Sequence, residues 1–404
     1  MFRDNYLDIK KITDNPEIFK MFDIVRNCGG VLRFVGGAVR DAIAGRKGFD
    51  IDLSTDLSPE ELLEACQDAG VKTVPIGLKF GTLGVVINGK VLEITSLRKD
   101  VSTDGRHAIV EFTDDWKEDA SRRDLTINAV YADEKGNVFD YYDGISDLEK
   151  GIVRFIGDAD QRIKEDYLRI LRFFRFYSLF AKTKYDKKAL QACIDNREGL
   201  EKISIERIRD ELIKIILTPN APKVFSTMLE NDILQNWLGK SAYLDNLQFL
   251  IKLEEAYNLQ PCHLRRFFVL YFPDKELAEN IAVRLHMTKK QREKMIKLAD
   301  NSIGIENILE EKLRRKIIYQ YGKEICFDKL LIEAARKQVV PENMGQVMEA
   351  IENAKDDVFP VCGRDVIAAR QVQGAQVGAI LDKLEKLWVE SDFSLSKESL
   401  LAQI

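Results

Sequence analysis

Apolar residues in the first 155 positions fall in short runs separated by glycines and polar turns, and beyond that point they recur at helical spacing. Phe34-Val35 predicts a strand, followed by a Gly36-Gly37 turn, a short helix carrying Arg40 and Asp41, and a second apolar strand through Asp50-Ile51-Asp52. Ser58-Pro59-Glu60-Glu61 is a capping box with proline at the first helical position, opening a helix over ELLEACQDA. Leu83 to Ile87 and Val91 to Thr95 predict two strands joined at Asn88-Gly89, a strong hairpin signal. Residues 99–108, KDVSTDGRHA, read as a polar flexible loop. Farther on, RIKEDYLRILRFFRFYSLFA spaces Tyr167, Leu168, Leu171 and Phe174 as one helix, and Ser204 caps another over ISIERIRDELIKIIL. Helices continue from 222 to 338, and Pro341 and Pro360 punctuate the last stretch. No internal repeat or low-complexity segment interrupts the plan. The expected fold class is α+β, a mixed-sheet head followed by an elongated all-helical portion.

Composition narrows the class. The 404 residues suffice for two to four domains, and no apolar run reaches the length of a membrane helix. The acid-bearing N-terminus has no signal-peptide core. Six scattered cysteines, with no CxxC pair, read as buried reduced thiols of a cytoplasmic protein, and three histidines argue against a His-rich metal centre. A net charge of −5 argues against a general nucleic-acid binder. Local basic surfaces remain open: Arg265-Arg266, Lys289 to Lys294 and Arg314-Arg315-Lys316 are each candidates, or else solvated helix faces.

Chemistry concentrates in four places. On a strand, Asp50 and Asp52 share a face, and two adjacent carboxylates repel unless a cation lies between them. Mg²⁺ is the usual solution, and it generally holds substrate phosphates as well. Gly36 and Gly37 let backbone N–H groups approach a triphosphate at a helix N-terminus. Glu93, on the hairpin's second strand, is either a third carboxylate of that site or an edge residue. Ser121-Arg122-Arg123-Asp124-Leu125-Thr126-Ile127-Asn128 sets two arginines beside an acid, suited to phosphate and to a ribose hydroxyl. Glu165-Asp166-Tyr167-Leu168-Arg169 places Asp166 and Arg169 on one helix face. One carboxylate and one guanidinium at fixed spacing accept the donor–acceptor edge shared by cytosine and adenine. They reject the reversed edge of uracil and guanine.

Taken together these segments resemble the class II tRNA nucleotidyltransferases, or CCA-adding enzymes, and their relatives the bacterial poly(A) polymerases, within the DNA polymerase β-like superfamily. FVGGAVRDAIAGRKGFDIDLST is similar to motif A. RRDLTIN is similar to motif B, RRDFTxNA, with Leu125 where phenylalanine is usual. Asp143-Gly144 to Leu148 with Arg154 is similar to the hinge motif C. EDYLRILRFFRF matches motif D, EDxxRxLRxxRF, in full, and SIERIRDE is similar to motif E. Pro360 to Val366, with Gly374 and Gly378, is similar to the tail segment that approaches the tRNA elbow.

The resemblance implies a head (1–155), a neck that reads the base (156–221), a body (222–338) and a tRNA-binding tail (339–404). It implies that CCA is added to tRNA from CTP and ATP without a template. Asp50 and Asp52 would hold two Mg²⁺ ions. Gly36, Gly37 and Arg40 would cradle phosphates, and Arg123, Asp124 and Asn128 would bind the ribose end of the nucleotide. Asp166 and Arg169 would read the base, with Glu165 orienting Arg169. The 99–108 loop, linked in the family to the switch from C to A, favours full CCA addition. Poly(A), CC-only or A-only addition stays open within the family, and a non-catalytic RNA-binding protein stands outside it. The expected partners are tRNA, CTP and ATP, with no membrane; a monomer is expected and a dimer left open.

Overall fold

The computed structural model describes residues 6–46, 50–104, 107–238 and 242–404, with backbone alone at 100–104 and 107–109. Two compact units divide the chain, Met1–Lys240 and Ser241–Ile404.

The first unit is built on a seven-stranded mixed sheet. Its strands are β1 (Leu32–Val35), β2 (Asp52–Thr55), β3 (Thr73–Gly77), β4 (Thr82–Ile87) and β5 (Lys90–Ser96). After the separate β6 (Arg98–Asp104) and β7 (His107–Phe112) come β8 (Val130–Ala132) and β9 (Val138–Asp140). The spatial order is β3-β4-β5-β2-β1-β8-β9, with β2 and β5 parallel and the other neighbours antiparallel. One face carries Leu32, Phe34, Leu53, Leu83, Val85, Leu92 and Ile94 against Met21, Phe22, Val25, Leu62 and Cys66 of helices Pro16–Asn27 and Pro59–Asp68. Because Leu53 faces that core, Asp52 and Ser54 face the other way.

Local rules account for much of this. Ser58 and Glu61 form the expected reciprocal cap. Asn88 and Gly89 both take positive φ, 51° and 76°, as a tight β4–β5 hairpin turn demands. Ser204 precedes helix Ile205–Ile216 as expected, though its side chain makes no capping bond.

Five expectations need correction, the last of them in the second unit. Residues 99–104 and 107–108 are not an irregular loop, for β6 and β7 pair antiparallel as their own two-stranded sheet; residues 105 and 106 of that segment lie outside the described residues. The paired partner AIVEF supplies the apolar residues that the polar half lacks. Asp50 lies outside β2, which begins at Asp52, so a shared strand face is not what brings the two together. The predicted helix through Asp166 is broken: one helix ends at Glu165, another starts at Arg169, and Asp166 is extended at φ −154° and ψ 105°. Cys66, Cys193 and Cys326 are buried, but Cys28 and Cys362 are exposed and Cys262 is half-buried.

The second unit is helical throughout its described residues. Its larger core gathers Leu250, Phe268, Met295, Leu298, Leu330 and Leu331, and a smaller one centres on Val366, Leu384 and Trp388. Arg265 and Arg266 are not a basic surface. They are buried, paired with Glu254 (2.5 and 2.7 Å) and, for Arg265, with Asp328 (2.7 Å). A buried guanidinium requires such partners, and they lie 11 to 63 residues away, beyond the reach of pattern reading.

Candidate active site

A cavity of about 520 Å³ in the first unit gathers nearly all the predicted residues. Gly36, Gly37, Arg40, Asp50, Asp52, Arg123, Asp124, Asn128, Asp166 and Arg169 line it. Glu165 stands behind Arg169, and Glu93 lies on the far side of Asp52.

At the β1 end, Gly36 holds φ 60° while its N–H bonds the Val130 carbonyl at 3.0 Å. Its backbone must turn into helix Gly37–Ile43 within one residue, and only glycine adopts that φ without strain. Arg40 is buried beneath this turn. Its guanidinium donates to Asp41 (2.8 and 3.1 Å) and to Asn128 Oδ1, and it rests over the rings of Phe176 and Phe180 at 4.8 Å each. Arg40 thus meets a ligand as a fixed cation already shared with Asp41.

Asp52 is in register with Glu93 on the parallel strand, so the two side chains are neighbours. Burial raises the Asp52 carboxyl above the ordinary range, and the charges of Glu93 and Asp50 push it further, against the pull of Arg123. This electrostatic crowding suits a hard divalent cation, which takes one or two carboxylates and keeps several waters. Among the described residues no three His, Cys, Asp or Glu side chains form a ready-made cage. Carboxylates in mutual repulsion that Arg123 only partly offsets nevertheless fit a cation arriving with a phosphate-bearing ligand.

The RRD segment proves to be a braced shelf. Asp119, buried, accepts from Arg122 (2.6 Å), Arg123 (3.0 Å) and Tyr131 (2.8 Å). Its burial opposes charge, but the two guanidiniums outweigh it and hold the carboxyl far below the usual range. Asp124 is buried as well. It accepts from Arg172 (2.6 Å) and the Asn128 amide (3.0 Å), which keep it ionised despite desolvation. Asp124→Ala would leave Arg172 without its partner and is expected to destabilise the fold by about 3 kcal/mol. Thermal unfolding of the variant reads that loss.

Behind the shelf, Thr126 and Arg154 both bond Asp147 (2.6 and 2.7 Å). Gly144 permits this contact, since a Cβ there would lie 2.2 Å from the Thr126 carbonyl oxygen.

The third wall is the break between helices. Arg169 donates to Glu165 (2.6 Å) and to the carbonyls of Arg162 (2.9 Å) and Arg122 (3.1 Å), so its guanidinium plane is fixed. Glu165 is thus one of three acceptors that hold the Arg169 guanidinium. Asp166 presents its carboxylate from the extended residue instead of a helix face. One oxygen accepts the Leu168 N–H (3.1 Å), and the other accepts Arg207 (2.7 Å) from helix Ile205–Ile216.

Sequence reasoning missed four contributors. Asp119 was signalled only by its i+3 and i+4 spacing to Arg122 and Arg123. Arg172 and Arg175 stand in the EDYLRILRFFRF run, whose spacing singles out Asp166 and Arg169 instead, and both line the cavity. Arg175 pairs with Glu211 (3.2 Å), while burial, then crowding by Arg172 and Arg40, disfavour its charge. Such concentrated positive charge suits a polyphosphate. Arg207 had no signal beyond its place in the SIERIRDE helix.

Comparison with known proteins follows the same residues. Residues 32–154 match the Poly A polymerase head domain, and 184–241 match the probable RNA and SrmB- binding site of polymerase A. The mitochondrial CCA tRNA nucleotidyltransferase 1 of Homo sapiens is 34% identical over 92% of this chain and 86% of its own. The CCA-adding enzyme of Lactobacillus johnsonii is 30% identical over 95% and 96%. Among solved structures, the Bacillus stearothermophilus CCA-adding enzyme in complex with CTP aligns over 96% of both chains at TM-score 0.77 and 26% identity.

Proposed function

The chain belongs to the family of CCA tRNA nucleotidyltransferases, and from that footing we propose that its cavity joins CTP and ATP to the 3′ end of tRNA without a nucleic-acid template. The observation that carries the reading is one cavity lined at once by Asp50 and Asp52, by the Gly36–Gly37 turn and by Asp166 with Arg169. Carboxylates for transfer, backbone for phosphates and a base-reading pair meet at nucleotide scale.

In the reaction the RNA 3′-oxygen bonds the α-phosphorus, the bond to pyrophosphate breaks, and the hydroxyl proton is released. Enzymes of this family use divalent metal ions, and we assign Mg²⁺ to Asp50 and Asp52. When bound, it lowers the charge on the triphosphate and favours the ionised hydroxyl. The chain's own part is positioning. Gly36 and Gly37 offer backbone donors, Arg40, Arg172 and Arg175 supply fixed positive charge, and Arg123 with Asp124 and Asn128 shapes the ribose end. Asp166 and Arg169 meet the edge shared by cytosine and adenine, where uracil or guanine would face like groups. Division into head (1–155), neck (156–221), body (222–338) and tail (339–404) is part of this proposal, as is a cytoplasmic location. Among the described residues no helix is long and apolar enough to cross a membrane.

Labelled CTP and ATP offered to tRNA ending at the discriminator base, to tRNA ending at CC, and to an unrelated RNA test the reading. C on the first, A on the second and neither on the third is expected. Repeated A on any RNA would assign a poly(A) polymerase instead. For the ribose contact, Asp124→Asn is expected to lower the ratio of ATP to dATP incorporation, and an unchanged ratio would confine Asp124 to its structural ties.

For tRNA, the exposed Lys289 and Lys290 of helix Lys289–Leu298 remain the best basic candidates. Arg292 is engaged with Glu279, Arg314 with helix-end carbonyls and Arg315 with Asp357 (2.7 Å). Replacing Lys289 and Lys290 by Glu is expected to raise KM for tRNA and flatten its salt dependence by about one unit of slope per lost phosphate contact. An identical salt slope would move tRNA to another surface.

A further inference from the structure

Another cavity of the first unit, of about 680 Å³, shares no lining residue with the candidate active site. Its walls come from the end of helix Gly37–Ile43, the end of helix Gly144–Lys150 and the chain at the end of helix Arg169–Phe180. Phe180 stands between the two cavities. Arg40 of the first and Arg46 of this one both rest over its ring, at 4.8 and 5.3 Å. Ile43, Leu148 and Leu179 add an aliphatic wall. Lys11, Arg46 and Lys182 face a single carboxylate, Glu149, so the lining carries two positive charges in excess on a chain of net charge −5. In the active site Arg40 is matched by Asp41 and Arg172 by Asp124. Among the described residues none of the three cations here is ion-paired with a carboxylate. Backbone geometry places two of them. Gly45, at φ 70°, ends its helix in a Schellman turn in which the Arg46 N–H bonds the Asp41 carbonyl at 2.8 Å. Lys182 runs tight against Gly151, where an added Cβ would fall 2.5 and 2.6 Å from its stem, and its ammonium donates to the Glu149 carbonyl at 3.3 Å. That bond leaves two ammonium donors for a ligand.

We propose that this cavity is a second nucleotide site, which binds a nucleoside monophosphate apart from the nucleotide that reacts. The phosphate would lie between Lys11 and Lys182, and the base along Ile43, Leu179 and the Arg46 guanidinium. The volume falls within the roughly 300–1,000 Å³ usual for small-ligand sites, and apolar walls with a few fixed polar groups are their usual lining. Charge selects the kind of phosphate. A phosphate monoester carries about −1.5 to −2 at neutral pH, which matches the excess of two positive charges. An RNA strand carries one charge per phosphate and favours cations spread along a track, not gathered at one cavity. A triphosphate would want the further arginines that the active site has and this cavity lacks. The guanidinium already laid over Phe180 offers a planar cation on which a base can stack.

Calorimetry with AMP tests the site, with the active site filled by a CTP analogue whose α,β-bridge is a methylene group. The wild type is expected to bind AMP at a single site beside the analogue. Arg46→Glu and Lys182→Glu alter exposed side chains outside the active site. Each is expected to weaken AMP binding roughly tenfold or more, with affinity for the analogue within about twofold of wild type. Under the same conditions 8-azido-AMP is expected to label residues 43–46 or 179–182 on illumination. No AMP bound beside the analogue, equal AMP affinity in both variants, or label confined to other segments overturns the proposal. Inorganic phosphate that binds as tightly as AMP overturns the part given to the base. A raised KM for tRNA in both variants without AMP binding would make the cavity an RNA contact and overturn it too. A wild type that extends no tRNA with CTP or ATP would overturn the transferase reading and leave this site standing, because AMP binding is read without catalysis.

Discussion

Asp50→Ala and Asp52→Ala should each reduce nucleotide incorporation by roughly a thousandfold or more. A bound divalent ion contributes several kcal/mol of transition-state stabilisation, and about 4 kcal/mol corresponds to that factor. Stability should move the other way. Burial, Glu93 and Asp50 hold the Asp52 carboxyl above its ordinary range. A carboxyl raised in the folded state destabilises the fold when ionised, and the penalty is relieved as pH falls through the raised value. Asp52→Asn should therefore match or exceed the wild type in thermal stability at neutral pH. The advantage should vanish at acidic pH, where Asp52 is neutral in both proteins. An inactive variant that melts early would point to damage to the fold. Near wild-type incorporation by Asp50→Ala at saturating magnesium would remove the assignment.

The parts of this site that could be read in advance are those set by local backbone rules. A Gly-Gly turn between strand and helix, a capping box and an Asn-Gly hairpin each depend on two to four consecutive residues, and each appears in the structure. What could not be read is set by tertiary partners. Apolar spacing runs unbroken through Tyr167, Leu168 and Leu171, yet the helix stops at Glu165. Spacing reports burial, and the break keeps its apolar residues inward too: Leu168 is buried, and the half-buried Tyr167 lies so close over Gly199 that a Cβ there would fall 1.9 Å from its ring. The partners that brace the site, Arg172 on Asp124 and Arg207 on Asp166, come from 48 and 41 residues away. Polar composition hid the β6–β7 pair. Family resemblance named residues that local rules left undecided, and the structure gathers most of them around one cavity. The geometry then altered how two of them are placed, moving Asp166 off the helix and making Asp124 a buried tie to Arg172 and Asn128.

Base choice gives the sharpest expected change after Asp50 and Asp52. Asp166→Ala should let UTP and GTP enter, lowering discrimination for CTP over UTP by about a hundredfold. An unpaired buried acceptor facing a carbonyl costs roughly 2–3 kcal/mol, and the substitution removes that penalty for the wrong base. The overall rate should fall as well, because cytosine and adenine lose a partner. The pair with Arg207 refines the expectation. Arg207 bonds one oxygen of Asp166 and the Leu168 N–H the other, so the carboxylate's direction is set by two groups. Arg207→Ala removes one of them and should relax discrimination less than Asp166→Ala does, with a larger effect on kcat than on KM for tRNA. If Arg207 acts only through Asp166, the double variant should discriminate no worse than Asp166→Ala alone, a non-additivity that a double-mutant cycle detects. Additive losses would give Arg207 a contact of its own with the nucleotide. Wild-type selectivity in Asp166→Ala would mean that the base is read elsewhere in the cavity, with Arg169, held by Glu165 and two carbonyls, the first residue to substitute next.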